Sequence, residues 1–200
     1  MKGEEVRSGM IAPEEVAFDI DGVVIDTMTM FVRLAHERYG FTWLKREDLC
    51  HYELYPSLDL PRETVDELIC LTLDDDHTRQ VPPVEGALPV LTELARHGPL
   101  RFVTARIWPE SIIAWLQKAL PEVPADGIEV YATGRPEAKS ELLRDLAVRY
   151  FVDDRLETCW LLAAAGLQPL LFDQPWNRSQ QNLPFPRVAN WHQLSLRLMI

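Results

Sequence analysis

Short apolar segments alternate with helical patterns through most of this 200-residue chain. We predict strands at residues 15–20, 100–104, 128–131, 150–152 and 168–172. Strands that alternate with helices form a parallel sheet with helices on both faces. The sequence therefore predicts an α/β fold with a doubly wound, mainly parallel, Rossmann-like sheet. Residues 188–191 are compatible with a short edge strand or with a loop before a last helix.

The alternation stops between residues 27 and 85, where helical patterns occur without a convincing strand. One predicted helix has an apolar face from Met28 to Tyr39 and ends at Gly40, and a second runs from about residue 61 to 71. A further helix at 86–97 faces the sheet. We expect an α/β core at 1–26 and 86–200, with a small helical cap at 27–85 inserted after the first strand. Because this cap would be joined to the core by two connections, it is suited to act as a lid over a site in the core.

Composition is that of an ordinary globular protein, with 47% hydrophobic and 26% charged residues. Residues 1–15 lack the apolar stretch of a secretion signal. The longest apolar stretch, 160–172, is interrupted and falls short of the roughly 20 residues that cross a bilayer. We therefore expect a cytoplasmic protein without a membrane partner, as a monomer or a homodimer.

The three cysteines, Cys50, Cys70 and Cys159, form no CxxC pair. Their odd number argues against a disulfide framework or a structural zinc site and favours a reducing compartment. We expect buried, inert thiols.

A net charge of -11 disfavours nucleic-acid polymers. A small anionic substrate would need positive charge concentrated locally, from a metal ion, a basic side chain or a helix N-terminus.

Polar residues stand where predicted strands end or helices begin. Asp19 and Asp21 leave the first strand and meet Gly22, which allows the backbone to turn. The later motifs are Thr104-Ala105-Arg106, then Lys139 in the first turn of a helix opened by Pro136, and then Asp153-Asp154. Because the carboxyl ends of parallel strands share one edge, we expect these groups to converge.

These motifs, in this order, resemble those of the haloacid dehalogenase superfamily of phosphatases, over about residues 16–177. In this resemblance Asp19 is the nucleophile that forms an aspartyl phosphate, and Asp21 is the general acid and base. The dehalogenase branch lacks the second aspartate, so Asp21 indicates a phosphatase. Because Asp21 should be protonated for part of the cycle, we expect the neighbouring Asp19 to raise its pKa.

Phosphate is expected to bind the Thr104 hydroxyl, nearby N–H groups at Ala105 and Arg106, and Lys139. Arg106 or Arg135 stays open as the alternative cation. Asp153 and Asp154 supply hard oxygen ligands, which suit Mg²⁺ better than Zn²⁺. The resemblance implies that the Asp19 carboxylate, the Asp21 carbonyl and an acid of the last motif hold the metal. We expect Asp153 to bind it directly, with Asp154 in support.

The substrate class is suggested by a second resemblance. Residues 172–178, the Val-Thr-Ala-Arg motif and the short spacing from Lys139 to Asp153 are similar to bacterial relatives of the 5'(3')-deoxyribonucleotidases. Nucleoside monophosphates are therefore the leading substrates. Residues 25–27, Ile-Asp-Thr, look more like the general phosphatase branch, so sugar phosphates and other small phosphomonoesters stay open.

Other features allow a structural explanation. Aromatic residues of the cap could stack a base, but for most of them we favour the core: Phe31, Phe41, Trp43, Tyr52 and Tyr55. The run from Asp74 to His77 is more consistent with a solvated loop or helix cap than with a metal site. Rival functions are a signalling receiver, which the order of the motifs disfavours, and a non-catalytic phosphate-binding protein.

Overall fold

The computed structural model describes residues 10–200. The first nine residues, which carry part of the predicted core and most of the segment tested for a secretion signal, lie outside it. Within residues 10–200, every helix is too short or too polar to span a bilayer.

A six-stranded parallel sheet organises the molecule, in the order β3-β2-β1-β4-β5-β6. The strands are β1 Val16–Phe18, β2 Leu100–Thr104, β3 Ile128–Ala132, β4 Tyr150–Asp153, β5 Gln168–Phe172 and β6 Arg187–Val188. The predicted parallel α/β fold is confirmed. The open question at 188–191 is answered by β6, a short edge strand that is followed by a last helix.

The central strands place the site. β1 pairs with β2 on one side and with β4 on the other, with Phe18 opposite Val152 in β4. The direction in which strands are added reverses between β1 and β4, and a ligand crevice forms at such a switch point, outside the carboxyl ends of the strands. Residues 16–18 are fully buried, which explains their continuous apolar character.

Within residues 10–200, eight α-helices accompany the strands. They are α1 Thr27–Tyr39, α2 Arg62–Leu73, α3 Asp75–Thr78, α4 Ala87–Leu94, α5 Glu110–Ala119, α6 Lys139–Asp145, α7 Leu156–Ala164 and α8 Trp191–Ser195. Gly40 ends α1 in the left-handed conformation, with φ of 69°, as its position predicts. The helix predicted at 86–97 is shorter in the structure. Its end tightens into turns, in which the N–H groups of Arg96 and His97 donate to the carbonyl groups three residues earlier.

Residues 27–85, here called the helical insert, contain α1 to α3 and no strand of the sheet. Phe31 and Leu68 of the insert belong to the same buried apolar cluster as Phe18 and Phe102 of the sheet. The insert therefore packs against the α/β part through a continuous core. Its definition as a separate cap domain stays a prediction.

The cysteines are free, but the expectation that all three are buried is wrong. Cys159 is buried, whereas Cys50 and Cys70 are exposed. Both exposed residues lie in the helical insert, where Cys70 occupies the outer side of the amphipathic helix α2.

Candidate active site

Lys139 connects the ends of β1 and β4. Its ammonium group donates to Asp19 Oδ1 over 2.9 Å and to Asp153 Oδ2 over 2.8 Å. Asp19 follows β1, Asp153 ends β4, and the Asp19 N–H donates to the Val152 carbonyl across the two strands. Lys139 is the first residue of α6 and is 2% exposed. Two carboxylates and one cation predicted from separate motifs are thus in direct contact.

Asp154 completes an acidic cluster with Asp19 and Asp153. One oxygen from each carboxylate lies within 4.8 Å of the others, and all three residues are buried. Burial, together with the charges of Asp153 and Asp21, raises the pKa of Asp19 to about 7 despite the opposing effect of Lys139. Burial and the charges of Asp153 and Asp19 raise the pKa of Asp154 well above its usual range. The single positive charge of Lys139 does not neutralise the negative charge of three buried carboxylates.

This surplus of negative charge fits a divalent cation. A metal ion stabilises ionised carboxylates and displaces the protons that a crowded site would otherwise keep. The donors are oxygen atoms, which suit Mg²⁺ better than Zn²⁺. The cluster of Asp19, Asp153 and Asp154 could therefore hold Mg²⁺.

Asp21 lies beside the cluster, but it is held by Arg106. The guanidinium donates twice, over 2.9 Å to Oδ2 and over 2.7 Å to Oδ1, and the Thr27 hydroxyl donates to Oδ1 over 2.7 Å. Burial alone would raise the pKa of Asp21, yet Arg106 and Thr27 lower it below its ordinary value. The expectation that Asp19 raises this pKa is wrong here, because the nearer guanidinium outweighs the neighbouring carboxylate.

The end of β2 brings the other predicted phosphate-binding groups to the same edge. Thr104 is buried, and its hydroxyl accepts the Arg106 N–H over 3.2 Å. Arg106 also donates to the Thr78 hydroxyl of the insert, over 2.6 Å. The alternative cation, Arg135, is exposed, whereas Lys139 is buried against the acids.

Gly22 allows the backbone to pass close to the cluster. Its φ of 75° is left-handed, and a Cβ atom at this position would overlap Asp154 Oδ2. A residue with a side chain would therefore be strained and would displace the carboxylate.

A cavity of about 340 Å³ lies between the insert and the sheet edge. Its polar end includes Asp21, Arg106 and Asp154, while the insert contributes mainly apolar and aromatic walls. Tyr52 and Tyr55 line this cavity. Phe31 is fully buried in the core, Phe41 and Tyr55 pack against the core, and Trp43 is exposed. Burial of its phenol group and the charge of Asp154 raise the pKa of Tyr52.

Several contacts of this site were not predicted from the sequence. Trp176 donates its indole N–H to Asp154, and Arg46 of the insert reaches Gln174 and Asp26. The sequence feature that could have indicated these contacts is the group of polar and aromatic residues at 174–178, because it follows β5, the strand next to β4. The acidic run at 74–77 is a helix cap, as expected, because Asp74 accepts the His77 N–H over 2.7 Å.

Relatives in sequence are nucleotidases. A nucleotidase from Clostridium acetobutylicum is 26% identical over 179 residues, covering 90% of each chain. A family profile described as 5' nucleotidase, deoxy (pyrimidine), cytosolic type C protein matches residues 13–199.

Relatives in structure share the fold. A haloacid dehalogenase-like hydrolase from Streptococcus pneumoniae has a TM-score of 0.61 at 12% identity, covering 94% of this chain and 99% of the other. YfnB from Bacillus subtilis, a structure bound to magnesium, has a TM-score of 0.55 at 14% identity, covering 90% and 95%.

The family profile spans nearly all of the described residues, and solved hydrolases share the fold of this chain. This chain belongs to the cytosolic type C family of 5' nucleotidases, has the fold of solved haloacid dehalogenase-like hydrolases, and is an enzyme of the phosphatase and nucleotidase class.

Proposed function

We propose that this protein is a Mg²⁺-dependent phosphomonoesterase that acts on nucleoside monophosphates through an aspartyl-phosphate intermediate. The observation that carries the proposal is the ammonium group of Lys139, which contacts Asp19 and Asp153 together. A carboxylate, a cation and further carboxylates at one sheet edge are the groups that phosphoryl transfer to an aspartate needs.

In the proposed first step an Asp19 carboxylate oxygen attacks phosphorus. The ester P–O bond breaks, and Asp21 gives its proton to the leaving alcohol. In the second step Asp21 takes a proton from water, which attacks phosphorus and breaks the bond to Asp19. Inorganic phosphate leaves, and both carboxylates return to their starting states.

Arg106 is proposed to change partners on substrate binding. It holds Asp21 by two hydrogen bonds, and it lines the cavity beside that carboxylate. A substrate phosphate would compete for the same guanidinium, which would supply a cation to the phosphate and free the Asp21 carboxyl. Thr104, the Ala105 backbone and Lys139 complete the proposed phosphate site.

Asp19, the Asp21 carbonyl, Asp153 and Asp154 would hold the metal. Bound there, Mg²⁺ would supply positive charge to the phosphoryl oxygens and to the attacking carboxylate. YfnB, which shares the fold, is bound to magnesium. This likeness supports the choice of ion, together with the all-oxygen donors.

The cavity supports a nucleoside as the leaving group. The ring faces of a nucleobase are flat and can stack on aromatic side chains, and Tyr52, Tyr55 and Ile69 line the insert side of the cavity. In the proposed function the helical insert covers the substrate and excludes water from the reacting phosphorus.

Phosphate release from a panel of nucleoside monophosphates and sugar phosphates, with Mg²⁺ or with EDTA, tests the proposal. We expect Mg²⁺-dependent turnover that is fastest on a nucleoside monophosphate and is abolished in Asp19→Asn. Asp173→Asn is the matched control, since Asp173 follows β5 and pairs with Arg187 over 2.9 Å. That variant should keep its activity.

Stable phosphorylation without turnover would instead indicate a receiver, and binding without either would indicate a non-catalytic protein. Faster turnover of sugar phosphates would contradict the proposed substrate class.

A further inference from the structure

Asp154 is held by the segment that follows β5, residues 174–177. The indole N–H of Trp176 donates to Asp154 Oδ2 over 3.0 Å. The Asn177 amide donates over 2.8 Å to the Asp154 carbonyl and over 2.8 Å to the Phe172 carbonyl. One segment thus fixes the side chain and the main chain of this acid, and joins both to the end of β5.

The Gly22 backbone also packs closely against the Asp154 carboxylate. A Cβ atom on Gly22 would overlap Asp154 Oδ2 and would lie 3.2 Å from the Trp176 ring. The Gly22 backbone and the indole, which is itself 8% exposed, therefore both pack against Asp154 Oδ2. This packing leaves the carboxylate little freedom to rotate.

Arg46 brings the helical insert to the same segment. Its guanidinium lies 5.5 Å from the centre of the Trp176 ring and donates to the Gln174 side chain. It also pairs with Asp26 over 3.0 Å. Gln174 in turn donates to the Gly22 carbonyl. A chain of contacts therefore runs from the insert, through residues 174–177, to the acidic cluster.

We propose that Trp176 is a positioning residue that fixes the Asp154 carboxylate for a divalent cation, and that Arg46 holds Trp176 in place. The inference rests on the cation site of the proposed function. Removing a group that orients a ligand carboxylate typically weakens metal binding about 10–100-fold. Cation affinity should then depend on the insert, through Arg46.

Trp176→Phe tests the first part, because it keeps an aromatic ring and removes the donor. Binding of Mn²⁺ in place of Mg²⁺, without substrate, is measured from the electron paramagnetic resonance signal of the free ion. We expect the dissociation constant to rise about tenfold or more.

Trp115→Phe is the matched control. This indole is 6% exposed and donates to the Val81 carbonyl over 2.8 Å. Both variants lose a buried hydrogen bond and should melt at lower temperature, but Trp115→Phe should bind Mn²⁺ like the wild type. A merely structural role for Trp176 predicts no difference between the two variants in affinity.

Arg46→Met tests whether Arg46 holds Trp176 in place. The Arg46 side chain is 25% exposed, so this variant should fold and can test the proposal even if Trp176→Phe does not fold. We expect weaker Mn²⁺ binding than in the wild type. The double variant should bind no more weakly than Trp176→Phe alone, because both changes act through one indole.

Unchanged affinity in Trp176→Phe would overturn the role of Trp176. Unchanged affinity in Arg46→Met, or effects that multiply in the double variant, would overturn the role of Arg46. If the wild type binds Mn²⁺ no better than Asp153→Asn, the cation site itself is wrong and this inference falls with it.

Discussion

At the scale of single residues, Gly22 occupies a position that a residue with a side chain cannot occupy without strain. Left-handed backbone costs an L-residue roughly 1–2 kcal/mol, and at Gly22 an added Cβ would also overlap the Asp154 carboxylate. We expect Gly22→Ala to lower the free energy of unfolding, measured in urea, by more than about 2 kcal/mol. Phosphate release should fall with it.

Gly40→Ala separates the two effects. Gly40 has a φ of 69°, but nothing lies within 4 Å of an added Cβ. It should show the backbone cost alone, about 1–2 kcal/mol. Equal losses in the two variants would mean that the close approach to Asp154 has no energetic consequence.

Asp19 predicts an unusual pH dependence of stability. Burial raises its pKa from 3.8 to about 7 in the cation-free fold, so the folded protein keeps a proton that the unfolded chain releases. This group therefore destabilises the fold as pH rises from about 4 to about 7. Asp19→Asn cannot titrate at this position.

The melting temperature of Asp19→Asn, minus that of the wild type, should therefore increase over this range in EDTA. Mg²⁺ should reduce the difference at pH 7, because it stabilises the ionised carboxylate. A difference that is constant with pH would contradict the raised pKa.

At the scale of elements, α6 brings Lys139 to the acids. Leu143, one turn further along the helix, is fully buried in a cluster with Phe151 of β4. Leu143→Ala should destabilise the protein by about 2–5 kcal/mol and should slow phosphate release from the folded fraction, because Lys139 loses its support. Urea unfolding and the activity assay measure the two effects.

Leu161→Ala is the control on another helix, since Leu161 of α7 is 49% exposed. Its effect on stability should stay within about 0.5 kcal/mol. Similar losses in both variants would show that α6 is not anchored through Leu143.

At the scale of the whole molecule, one apolar cluster joins the insert to the sheet. We expect unfolding in urea to be a single transition, with circular dichroism and tryptophan fluorescence giving coincident curves. Two separated transitions would mean that the insert and the sheet are independent folding units.

Much of this organisation could be predicted from local patterns. The bounds of β2 and β5 agree with the predicted segments, because short apolar runs between helical patterns have few alternatives. The meeting of Asp19, Lys139 and Asp153 followed from the shared edge of a parallel sheet.

The remaining contacts depend on which side chains face one another across the site. Arg106 and Asp21 are 85 residues apart, and no local pattern indicates that their pairing lowers the pKa of Asp21. The contact of Trp176 with Asp154 likewise requires the relative position of two strand ends. Exposure of Cys50 depends on loop packing, which the composition of the chain does not determine.

The central claim is that Asp19 accepts the phosphoryl group. A nucleoside monophosphate labelled in its phosphate group is mixed with enzyme and Mg²⁺ and quenched in acid within one turnover. We expect base-labile label on the protein. Borohydride reduction would release the phosphate and convert the phosphorylated aspartate to homoserine, which mass spectrometry should find at position 19; Asp19→Asn should carry no label. Turnover by the wild type with no labelled protein at any time, or with label at another residue, would contradict the account.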